Sequence, residues 1–80
     1  MIKEINGFNP NYRETICKNI KKYRKEKGIR LMDLAELLDV SPDYLKRLES
    51  PGDSRKNCSL TLVYKLSLIL DKKIDDFFIE

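Results

Sequence analysis

The stretch LMDLAELLDVSPDYLKRLE, residues 31–49, constrains this chain more than any other, because it asks for two helices with almost no room between them. Leu31 to Leu38 carries its apolar residues at helical spacing, with Leu34, Ala35 and Leu38 facing inward. Asp39 sits where the chain must reverse, and Asp tolerates the left-handed conformation better than most residues that have a side chain. Val40 is expected as a buried pivot. Ser41 is a good N-cap, Pro42 fits the first helical position, and Asp43 adds a negative charge to the positive end of the new helix. That helix runs from Pro42 to about Glu49, burying Leu45 and Leu48 and exposing Asp43, Tyr44, Lys46 and Arg47. Two helices broken so abruptly cross at a steep angle.

The corner has little chain around it. Eighty residues make one domain, near the lower limit for a single core without a metal or disulfide staple. Residues 1–10 lack a sustained period and are expected as an N-terminal arm, with residues 11–80 as the domain. A first helix is predicted from about Tyr12 to Lys27, with Tyr12, Ile16, Ile20 and Tyr23 on its buried stripe. Asn11 with Glu14 three residues on forms its cap signature, Asn9 before Pro10 being the rival start. Gly28 ends it as a left-handed cap. After a loop of Pro, Gly, Asp, Ser and Asn, Ser59 caps a helix from Leu60 to about Leu70. The IDDFFIE segment reads as one more helical turn with Phe77 and Phe78 as an apolar plug. The whole is all-α.

Several classes of function are excluded or disfavoured. The chain has no histidine and no Cys-x-x-Cys, so a zinc site lacks ligands and a histidine-based triad is impossible. It shows no Gly-rich phosphate loop, so neither an enzyme nor a cofactor is expected. Cys17 and Cys58 are expected as ordinary thiols rather than a disulfide. No apolar run is long enough to span a bilayer and no signal pattern opens the chain, which points to the cytoplasm with no membrane partner.

Charge is segregated. Residues 1–30 carry nine Lys/Arg and three acids, whereas residues 31–45 carry four acids and no base. The net charge of +3 thus conceals a basic surface beside an acidic one.

Two short helices joined by a tight turn make a helix-turn-helix. A B-DNA major groove is about 12 Å wide and a helix with side chains about 10–12 Å across, so an exposed helix can enter it. The second helix of the corner projects and the first braces it. Its exposed start and next turn present Ser41, Pro42, Asp43, Tyr44 and Arg47. Arg47 is the strongest base reader, because Arg donates two bonds to guanine O6 and N7. Asp43 suits a cytosine amino group or simply the helix dipole. Tyr44 suits a sugar or a thymine methyl. Lys46, Arg55 and Lys56 are placed for phosphates on either side of the groove.

The pattern resembles the Cro/C1-type (XRE-like) transcriptional regulators, over about residues 12–78. IKKYRKEKGI is similar to that family's first helix and turn, LAELLDVS to its second helix and turn, and YLKRLE to its third helix. SLTLVYKLSLILDKKIDDFF is similar to its fourth and fifth. The resemblance implies a compact five-helix, lambda-repressor-like DNA-binding domain. It also implies a buried ion pair between Arg24 and Glu49. Three departures stand out: Arg30-Leu31 replaces the usual Thr-Gln or Ser-Gln opening of the second helix, Asp39 replaces the turn glycine, and the loop between Glu49 and Leu60 is longer than usual. Arg30 is thereby a candidate phosphate contact.

The expected function is a sequence-specific regulator of transcription, a repressor acting on double-stranded DNA as a homodimer. Leu62, Leu68, Ile69, Phe77 and Phe78 are candidate dimer contacts, the alternative being that they all close one small core. The alternative is a protein-interaction module with a protein partner, such as an antitoxin or an anti-repressor partner; the acidic segment 31–45 favours it.

Overall fold

The computed structural model describes residues 5–50 and 59–79. They contain helices α1 (Tyr12–Lys27), α2 (Leu31–Leu38), α3 (Pro42–Glu49) and α4 (Leu60–Ile69), then a 3-10 helix, Ile74–Phe78. There is no strand among the described residues. Arg55, Lys56 and Cys58 lie outside them.

One core joins all five elements. Ile16, Ile20 and Tyr23 of α1 meet Leu34, Ala35 and Leu38 of α2, Leu45 and Leu48 of α3, Leu62, Val63 and Leu66 of α4, and Phe77. Each helix contributes one face, as apolar residues three and four apart require. Tyr12 and Val40 are half-buried at the edge of this cluster, so Val40 is not the fully buried pivot its position suggests. Cys17 is buried in α1.

The helix ends follow local chemistry. Gly28 closes α1 at φ 72°, where a side chain would be strained, and its amide reaches back to the carbonyl of Lys25. At the other end of α1 the Asn11–Glu14 cap does not form, since the Asn11 side chain accepts no cap bond. Asn9 organises the start instead. Its Oδ1 accepts from the Asn11 amide at 2.9 Å and its Nδ2 donates to Thr15 Oγ1 at 3.0 Å. Asn11 has φ −95° and ψ 25°, not the extended backbone of a capping residue, and the reach-back falls to the residue before Pro10.

Among the described residues there are four α-helices where five were expected. The fifth segment winds as a 3-10 helix because its carbonyls are taken from outside. Asn19 Nδ2 donates to the carbonyls of Phe77 and Ile79, both at 2.8 Å, and lies 3.4 Å from that of Asp76. The Tyr23 hydroxyl donates to the Asp76 carbonyl at 2.8 Å. A short segment whose Asp76 and Phe77 carbonyls are held by α1 has less need of the i to i+4 pattern. Burial first, then the Asp76 and Glu26 carboxylates, push the Tyr23 hydroxyl above its ordinary pKa. Phe77 lies edge-on to Tyr23 with ring centroids 5.4 Å apart, which plugs the end of the core.

Candidate nucleic-acid interface

The corner between α2 and α3 is built by two caps. Asp39 adopts the left-handed conformation, φ 58° and ψ 44°, and its amide bonds back to Glu36 while that of Val40 bonds to Ala35. Two residues later Ser41 is extended and its Oγ accepts from the Tyr44 amide at 3.1 Å. Pro42, with no N–H to satisfy, takes the first position of α3. Leu45, Leu48 and Glu49 are buried, whereas Ser41, Pro42, Asp43, Tyr44, Lys46 and Arg47 are all exposed.

The far end of α3 is fixed from α1. Arg24 Nε donates to Glu49 Oε2 at 2.7 Å and Nη2 donates to Oε1 at 3.1 Å, a two-bond fork with both residues under 10% exposed. The remaining nitrogen, Nη1, donates to the Ile29 carbonyl at 2.9 Å. One guanidinium therefore joins α1, the link before α2, and the last residue of α3.

Along the exposed edge of α3, Asp43 and Arg47 stand one turn apart on the same side. Neither side chain has a hydrogen bond or an ion pair among the described residues, and Lys46 is equally unengaged. Arg30 differs. It is the exposed N-cap residue of α2, and its Nε lies 3.0 Å from Asp33 Oδ2. That hydrogen bond holds Arg30 protonated beyond its ordinary range. No side chain caps α2, so its first amides stay open beside this pair. The predicted surface thus gathers Ser41, Asp43, Tyr44, Lys46 and Arg47 on one short helix, with Arg30 at the head of its neighbour.

On α4 the exposure falls differently from the expected dimer contacts. Leu62 and Phe77 belong to the core, and Ile69 is half-buried against it. The exposed large apolar side chains are Leu60 at 75%, Tyr64 at 54% and Leu68 at 66%, four residues apart, with Phe78 separately exposed. Of these only Leu68 and Phe78 were singled out in the sequence, where the mixed apolar pattern of α4 conceals which face is covered.

Sequence reasoning also missed Asn19. It sits in a run of lysines with nothing to mark it as buried, and only the three carbonyls around its amide reveal its part.

A tight, left-handed turn between two short helices, the second exposed along one edge and clamped at its base, defines the helix-turn-helix class. The helix-turn-helix family profile HTH_3 matches residues 20–77, and the chain belongs to that family, of the Cro/C1 (XRE-like) type. It is 39% identical over 59 residues to the HTH-type transcriptional regulator SinR of Bacillus subtilis, covering 74% of this chain and 51% of SinR. The chain thus spans about half the length of the curated relatives it matches. Among solved structures it is similar to the clp gene regulator ClgR of C. glutamicum, with TM-score 0.72, 33% identity and 86% of each chain covered. It is similar as well to SinR, described as the master regulator for biofilm formation, in complex with DNA. There the TM-score is 0.69 and the identity 36%, over 80% of this chain and 98% of that one.

Proposed function

We propose that this chain is a sequence-specific, double-stranded-DNA-binding repressor that inserts α3 into the major groove and acts in the cytoplasm as a homodimer. The observation that carries this reading is the edge of α3: a capped, braced helix whose outward Asp43, Lys46 and Arg47 side chains have no partner among the described residues. Similarity to SinR, a protein solved in complex with DNA, supports the DNA-binding part of this reading. Arg47 takes the leading part in base recognition, donating to guanine O6 and N7. Ser41 and Tyr44 flank it at the groove wall. Lys46 reaches phosphate, as do Arg55 and Lys56 in the segment beyond Glu49. Arg30, beside the open amides of α2, meets a phosphate once it exchanges Asp33 for the stronger anion.

Eight residues of helix read few base pairs, so two copies serve one site. The α4 stripe suits this. Leu60, Tyr64 and Leu68 are evenly spaced, so an antiparallel mate sets Tyr64 on Tyr64 and Leu60 on Leu68 of the other copy. Three side chains cover far less than the ~800 Å² per partner of a standard interface. The dimer therefore assembles on DNA rather than before it. Bound across a promoter, such a pair blocks transcription.

Selection of random duplexes on the purified chain tests the reading. The expected result is a symmetric site whose half-sites lie about 34–36 Å apart, bound with strong salt dependence. Arg47→Ala should then weaken the selected site about tenfold or more while changing random DNA much less. Recovery of no site from any pool would refute the proposal.

A further inference from the structure

Asp43 is the residue of α3 that a DNA-binding helix has least reason to carry, because it brings a carboxylate towards a polyanion. Its ordinary explanation is the helix N-terminus. There its charge suits the helix dipole, but the hydrogen bonding of the cap does not use it: Ser41 Oγ accepts the Tyr44 amide, Ser41's carbonyl accepts the Leu45 amide, and Pro42 has no N–H to offer. The Asp43 side chain caps nothing. Nor is it neutralised by Arg47, four residues on, where an ion pair would be natural; no such pair forms among the described residues. The surroundings add to the charge instead of cancelling it. From Leu31 to Glu49 there are five acids and two bases, and of those acids only Glu49 is buried in a pair.

We propose that Asp43 is a specificity-determining residue, its exposed carboxylate accepting a hydrogen bond from the N4 amine of cytosine in the major groove while repelling bases that offer only acceptors there. This rests on the reading of α3 as the groove helix. Guanine presents O6 and N7 and thymine presents O4, all acceptors, so a carboxylate facing either loses its water without gaining a donor. Adenine offers its N6 amine but sets the N7 lone pair beside it. Cytosine alone presents a donor without an adjacent acceptor. The charge that selects cytosine also weakens binding everywhere else, which widens the gap between the right site and random DNA.

The test is duplex selection and direct binding with the wild-type chain, Asp43→Asn and Asp43→Ala. Because Asp43 is exposed and unbonded, both variants should fold and melt within a few degrees of the wild type, the small loss being that of the charge at the helix N-terminus. The wild-type half-site should hold a cytosine that Asp43→Asn converts to adenine, since Asn pairs with adenine N6 and N7, while the other positions persist. Asp43→Ala should lose the preference at that position alone. Replacing the cytosine by thymine should weaken the wild type about tenfold and leave Asp43→Ala nearly unaffected. Both variants should bind random duplex several-fold more tightly. A wild-type site that both variants select unchanged overturns the role of Asp43 and leaves the groove helix standing. A wild-type chain that enriches no site overturns the groove helix and this assignment with it.

Discussion

Arg24 and Glu49 show how far a single pair of residues reaches. Both are buried and their two hydrogen bonds are 2.7 and 3.1 Å long. Such a pair adds little over a well-packed apolar replacement, but losing one partner leaves the other charged and dry. Glu49→Ala should therefore cost about 3 kcal/mol, which for a domain of this size lowers the melting temperature by on the order of 15 °C. Thermal unfolding by circular dichroism measures it, and an unchanged midpoint would remove the pair from the account of stability. The pair was legible only through family resemblance, since periodicity places both residues near apolar positions and cannot join them across 25 residues of chain. Asn19 was not legible at all. A polar side chain between Lys18 and Ile20 reads as surface until the carbonyls of the last turn are seen around it.

At the scale of elements the sequence was far more informative, because helix boundaries depend on neighbours in the chain. Gly28, Asp39, Ser41 and Ser59 each end or start a helix by a bond or conformation that the residue's own chemistry decides. At the start of α1 that logic left two candidates, Asn11 and Asn9, and the last segment escaped it. In one case the acting residue was Asn9 rather than Asn11; in the other, distant donors on α1 set the winding. The turn itself allows a direct check. Asp39 holds φ 58° at some cost that Gly would not bear. Asp39→Gly should raise stability by up to ~1 kcal/mol, or roughly 4–8 °C. Asp39→Ala, lacking the polar group that eases this conformation, should lower it. The ordering Gly, Asp, Ala in urea midpoints is the readout, and Ala at the top would mean the corner relaxes into another turn.

For the molecule as a whole, the fold left a row of large apolar side chains on α4 that no core residue covers. Leu68→Lys or Tyr64→Glu should preserve the melt and the affinity for an isolated half-site, yet abolish cooperative binding to a two-half-site duplex. Sedimentation should find the free chain monomeric at micromolar concentration and two copies on the full site. Equal cooperativity in the variants would move the interface elsewhere, with Phe78 next to examine. The three-way grip of Arg24 has a consequence for how such a protein is controlled. Because one planar cation bolts the first helix to both ends of the reading corner, the corner cannot pivot without leaving a charge stranded in hydrocarbon. Under the proposed homodimer reading the tool is stiff and meets DNA in the shape it already has. A switch acting on such a pair has no angle to adjust and works on how many copies arrive together, by counting molecules rather than by bending them.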